Sequence, residues 1–179
     1  FDIRTNNVIR TRITQKGQIE ILNTGNSVFV GEGAGANDDL TSNNNVFVGY
    51  YAGSINSTGP ENTGLGGYAL GSNSSGGGNT AGGYYTLRNN STGNNNTAYG
   101  WEALLNNSAG SNNTATGVAS LMTNVAGSGA TAIGMFAMRY ANDQAGAFTN
   151  SNVAVGYEAL RGSGTASANI GNYNTAIGY

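Results

Sequence analysis

Asn96-Thr97-Ala98-Tyr99-Gly100-Trp101-Glu102-Ala103-Leu104 decides the fold, because the same block recurs along the whole chain. Aligned on it, a motif glycine falls at Gly31, Gly49, Gly66, Gly83, Gly100, Gly117, Gly134, Gly156 and Gly178. The successive gaps are 18, 17, 17, 17, 17, 17, 22 and 22 residues. A fixed period of this kind marks an array of small units, each unable to bury its apolar face alone.

The columns of the alignment define a strand. Three residues before each glycine stand Val28, Val46, Thr63, Thr80, Thr97, Thr114, Thr131, Val153 and Thr175, all β-branched and suited to a pleated surface. One residue before the glycine come Val30, Val48, Leu65, Gly82, Tyr99, Thr116, Ile133, Val155 and Ile177. Side chains alternate across a strand, so these two columns share one face. The opposite face carries Phe29, Phe47 and Gly64, then Ala81, Ala98, Ala115, Ala132, Ala154 and Ala176. Residues this small belong where two backbone layers approach closely inside a flattened coil. After the glycine follow small residues such as Ala69 and Ala103, then Leu70, Leu87, Leu104, Leu121, Met138 and Leu160, which begin a return segment.

Asn- and Gly-rich stretches such as Arg88 to Asn95 separate the blocks, with a second glycine at Gly59, Gly76, Gly93, Gly110 and Gly127. Both residue types tolerate left-handed backbone, so these stretches read as tight corners. Each unit is then strand, corner, short return, corner. Seventeen residues less two corners leave about five per strand, and nine rungs at roughly 4.8 Å build a column on the order of 40 Å tall. The predicted fold is all-β: a parallel β-roll or solenoid of about nine 17-residue repeats. So flat a coil has little core of its own, and its apolar face requires a partner. Closed symmetry among identical chains supplies one, so a parallel homotrimer is expected. The candidate interface comprises Val28, Val30, Val46, Val48, Thr63, Leu65, Thr97, Thr131, Ile133, Val153, Val155 and Ile177.

Composition narrows the function. Charged residues make up 9% of the 179 and the net charge is −2, which is no footprint for a nucleic-acid or anionic-membrane partner. The chain has no His and no Cys, so the usual nucleophile pairs, zinc sites and disulfides have no residues to use. Asp38 and Asp39 read as a solvated corner, and Glu102 and Glu158 as rung edges, not as an acid–base pair. Gly31-Glu32-Gly33-Ala34-Gly35 lacks the spacing and following lysine of a phosphate loop. The expectation is a non-enzymatic protein without cofactor, catalytic group or metal.

The blocks Asn96 to Leu104, Asn152-Val153-Ala154-Val155-Gly156-Tyr157-Glu158-Ala159-Leu160 and Asn174-Thr175-Ala176-Ile177-Gly178-Tyr179 resemble the head repeats of YadA-like trimeric autotransporter adhesins, and also repeat regions of bacterial and phage tail-fibre-like proteins. The resemblance covers residues 26–179. It implies closely packed parallel rolls, an extracellular place on a bacterial surface or on a phage or injection-particle fibre, and attachment to a cell-surface protein, matrix protein or glycan. A structural spacer in a surface filament is the alternative.

The irregular parts divide the chain into residues 1–25, an N-terminal β hairpin or cap, and residues 26–179, the repeat head. The hairpin is read from the alternation in Val8 to Thr14 and Gln18 to Leu22 about Gly17. A start at Phe1 without Met and a stop at Tyr179 inside a motif are expected of a piece of a longer protein. Insertions in the two long gaps, near residues 140–149 and 162–170, emerge as loops of the kind that carry binding. Aromatics recurring after the motif glycine make Tyr50, Tyr68, Tyr84, Trp101, Phe136 and Tyr157 the candidate ligand contacts. The threonine column also raises ice binding as a minor possibility.

Overall fold

The computed structural model describes residues 2–5, 8–17, 19–21, 25–41, 43–141, 146–164 and 171–179. These residues form strands and turns, with no helix among them. At the N-terminal end β1 (Asp2–Thr5), β2 (Val8–Ile13) and β3 (Ile19–Ile21) make an antiparallel sheet in the order β1-β2-β3, with Gly17 at φ +76° between β2 and β3.

The rest is a parallel β-solenoid. Its main sheet holds nine strands: β4 (Val28–Val30), β5 (Val46–Val48), β6 (Thr63–Leu65), β7 (Thr80–Gly82), β8 (Thr97–Tyr99), β9 (Thr114–Thr116), β11 (Thr131–Ile133), β13 (Val153–Val155) and β14 (Thr175–Ile177). Two short strands, β10 (Gly127–Ser128) and β12 (Phe148–Thr149), pair in parallel on another side of the coil. In the main sheet every repeat column is in register, Thr63 opposite Thr80 and Ala98 opposite Ala115. The periodic column is therefore the hydrogen-bonded row.

Each strand is three residues long, not about five, and the return segment is not a strand. It is a chain of tight turns whose amides still reach the neighbouring rung: Leu70 N donates to Thr86 O and Leu87 N to Ala103 O. The motif glycines show why the strand stops. All have φ between +122° and +138°, and a Cβ on Gly66 would lie 2.5 Å from the Gly83 carbonyl oxygen. Both the backbone angle and the rung-to-rung approach exclude a side chain there.

Four residues after the motif glycine, in six of the rungs, the chain enters the left-handed region with residues that usually avoid it. Leu70, Leu87, Leu104, Leu121, Met138 and Leu160 have φ between +47° and +54°. The conformation costs about 1–2 kcal/mol. Full burial of a leucine side chain returns about 1.5–3 kcal/mol. Leu70, Leu87, Leu104 and Leu121 are fully buried, so packing outweighs backbone strain.

The first two rungs solve the same core differently. Phe29 and Phe47 replace the inward small residue, their rings stacked 5.7 Å apart, and the leucine position becomes Gly35 and Gly53. A Cβ on Gly35 would strike the Phe29 ring at 2.6 Å, and one on Gly53 would strike Phe47. Thus phenylalanine with glycine occupies the space that alanine with leucine fills elsewhere, as a close-packed interior requires. Ala81, Ala98, Ala115, Ala132 and Ala154 face inward and are buried.

Asparagines line the rest of the interior. Only some corner asparagines are left-handed: Asn26, Asn44, Asn95 and Asn112. The residue after each corner, Asn45, Asn62, Asn79, Asn96 and Asn113, is buried, as are Asn56, Asn73, Asn90, Asn107 and Asn124. The second set forms a side-chain ladder in which Asn73 Nδ2 donates to Asn56 Oδ1 at 2.6 Å and Asn107 Nδ2 to Asn90 Oδ1 at 2.8 Å. In the first set, each Oδ1 accepts the next rung's backbone amide, as Asn79 Oδ1 accepts Asn96 N at 3.0 Å. The second glycine joins the two sets. Gly93 O accepts Asn90 Nδ2 at 3.0 Å and Asn79 Nδ2 at 2.9 Å. A Cβ on Gly93 would lie 2.5 Å from Asn90 Oδ1, so these glycines serve close packing and not a left-handed turn.

Candidate binding surface

The face of the sheet opposite the alanines points outward. Threonine or valine at the first strand position is mostly half-buried, and the third position is more open: Val30 is 49% exposed, Leu65 44%, Tyr99 46% and Ile133 41%. The residues Val28, Val30, Val46, Val48, Thr63, Leu65, Thr97, Thr131, Ile133, Val153, Val155 and Ile177 therefore line one side of a single column. No charged residue occurs in any of the nine strands of this sheet. The surface is stepped, because the Tyr99 ring lies over Gly82 of the preceding rung.

The aromatic candidates lie at the adjoining edge, past the motif glycine, and form two runs. Tyr50, Tyr51, Tyr68, Tyr84 and Tyr85 are linked by ring contacts of 4.1 to 6.2 Å across three rungs. Arg88 sits 4.8 Å from the centre of the Tyr85 ring and 5.6 Å from that of Tyr68. The second run joins Phe136, Tyr157 and Tyr179. Trp101, half-exposed, belongs to neither run. Tyr50 and Tyr84 are nearly half-exposed, while Tyr68 is partly covered.

Mutual contact alters the phenols. The neighbouring Tyr68, then lost hydration, holds the Tyr50 phenol above its ordinary pKa; a hydrogen bond to Tyr85, then lost hydration, does so for Tyr84. Tyr157 is raised chiefly by the charge of Glu158. None of this is the signature of a general base poised near neutrality. It describes neutral hydroxyls and ring faces presented in rows.

Arg88, Arg139 and Arg161 share one column, each with its guanidinium over an aromatic ring. Arg161 also pairs with Glu158 at 3.0 Å, so the Glu158 carboxylate is an ion-pair partner. Asp38 is not a freely solvated corner residue: its carboxylate accepts from Leu40 N and from Asn45 Nδ2, both at 2.9 Å. The glycine-rich run from Gly31 to Gly35 is explained by crowding, since a Cβ on Gly33 would meet the Tyr51 ring at 3.0 Å. Asn56 and Asn90, which begin Asn-x-Thr matches, have buried amides donating to two acceptors each.

The inserted stretches are placed only in part. Residues 142–145 of the first lie outside the described residues, as do 165–170 of the second; β12 follows the first of these. The reading of the Asn-rich stretches as corners does not single out the buried asparagines. Their signal was positional: asparagine at one fixed distance after five successive motif glycines, always three residues before the second glycine. No protein-family model, no curated protein and no solved structure matches this chain.

Proposed function

We propose that the chain is a non-enzymatic head or fibre segment of a trimeric surface adhesin or tail fibre, attaching an extracellular bacterial surface or phage particle to a protein or glycan. The observation that carries this reading is the charge-free outer face of the nine-stranded sheet, with Val30, Leu65, Tyr99 and Ile133 left 41–49% exposed. Uncovered apolar rows of this length are characteristic of surfaces that meet another chain. Three parallel copies about one axis cover the row on all three at once. The tyrosine runs then stand at the edge of that interface, where rings and hydroxyls suit contact with a receptor.

Light scattering on the 18.1 kDa chain tests the assembly, with a β-rich species at three times the chain mass expected. Leu65→Lys with Ile133→Lys places charge in the row and is expected to give monomers that keep the β spectrum. A β-rich monomer for the unaltered chain would remove the trimer. A second reading rests on the unbroken threonine column from Thr63 through Thr80, Thr97 and Thr114 to Thr131. Such an array of hydroxyls and methyls suits ice binding; absence of thermal hysteresis would remove that reading. If Tyr50→Ser with Tyr84→Ser leaves attachment to receptor-bearing cells unchanged, the spacer role replaces the adhesive one.

A further inference from the structure

The asparagine ladder has a direction. Each Nδ2 donates to the preceding rung and each Oδ1 accepts from the following one, as in Asn107 to Asn90 at 2.8 Å and Asn90 to Asn73 at 2.6 Å. Aligned amides behave like the peptide units of a helix: their dipoles add, and one end is left with donors and no acceptor. In this chain that end is the first rung, because Asn56 begins the ladder and points its Nδ2 toward residues that precede it.

The residue occupying the ladder position in the first rung is Asp38, seven after Gly31, where Asn56, Asn73, Asn90, Asn107 and Asn124 stand seven after their own glycines. Its Oδ2 accepts Asn45 Nδ2 at 2.9 Å and Asn56 Nδ2 at 3.4 Å. Its Oδ1 accepts Leu40 N at 2.9 Å and Asn43 Nδ2 at 3.4 Å. Four donors thus converge on a group with about four acceptor sites and no hydrogen to offer. Ser27 plays the matching part for the backbone, accepting Asn45 N through Oγ at 2.9 Å where later rungs use an asparagine Oδ1.

We propose that Asp38 is the anionic end cap of the internal amide network, and that asparagine, the repeat's own residue at this position, is wrong here and only here. A side-chain amide has one acceptor oxygen. Whichever way it turned, its NH₂ group would face two of the four donors. The negative charge also sits at the donor end of the aligned dipoles, where charge-assisted hydrogen bonds are about twice as strong as neutral ones. The cap acts within one chain and does not depend on the oligomer.

The test is Asp38→Asn in the full 179-residue chain, followed by thermal melting and amide exchange. The cap predicts a midpoint lower by on the order of 5 °C, from two donors left unpaired, with faster exchange either at the Leu40 amide or at the Asn45 and Asn56 side-chain amides, according to which way the new amide turns. A midpoint equal to or above that of the unaltered chain, as a consensus substitution gives, would overturn the proposal. So would a lower midpoint with exchange unchanged at Leu40 and at the Asn45 and Asn56 side chains alike, because the loss would then arise elsewhere. If Asp38→Asn does not fold, Asp38→Glu must, since it keeps the charge; failure of both would equally overturn the cap.

Discussion

Asn90 shows how much one buried amide carries. It donates to Asn73 Oδ1 and Gly93 O and accepts from Asn107 Nδ2, all inside a fully buried site. Asn90→Ala leaves buried partners short of hydrogen bonds, and a loss of about 3 kcal/mol is expected in chemical denaturation. At the surface, the Thr41 backbone amide and then its hydroxyl hold the Asp39 carboxyl below its ordinary value. A lowered folded-state pKa means its stabilisation is present above the unfolded value and disappears as pH falls through the folded one. Carboxyl titration by NMR should show Asp39 protonating later than a free aspartate as acid is added; an ordinary midpoint would contradict the hydrogen bonds. At this scale the sequence was only half legible. Asparagine has the same letter whether it bends a corner or fills a core, and only neighbouring rungs tell Asn95, left-handed, from buried Asn96.

The rung is the element of this fold, and its strand was readable because β-branched residues, small residues and glycine recur at fixed spacing. The return was not, since large residues in left-handed conformation run against ordinary preference, and Leu70, Leu87, Leu104, Leu121 and Met138 among them are stabilised by burial in the finished coil. The exchange of phenylalanine and glycine for alanine and leucine makes this scale testable. Phe47→Ala alone should cost about 3–5 kcal/mol through the cavity it leaves. Gly53→Leu alone should also destabilise, because its side chain would collide with the Phe47 ring. Together they recreate the composition of the later rungs, and the double variant should recover much of the loss. A double-mutant cycle measures that coupling, and simple additivity would show that the two positions do not share one space.

Across the whole molecule, order along the axis comes from rows that repeat: the nine-stranded sheet, the asparagine ladder and the aromatic runs. Each rung touches mainly its neighbours, so stability accumulates rung by rung. The period in the sequence specified this column and its outward apolar row, whereas nothing in a one-chain repeat states how many columns meet. Every charged residue of the described coil falls outside the main sheet, which leaves that face free to pack. Asparagine side chains form the internal spine of the solenoid. Hydrogen exchange of the side-chain amides, followed by NMR, puts this to the test. The Nδ2 protons of Asn73, Asn90 and Asn107 should be protected as strongly as the strand amides and show contacts between successive rungs. Exchange of these protons at the rate of free asparagine would contradict the ladder and the register built on it.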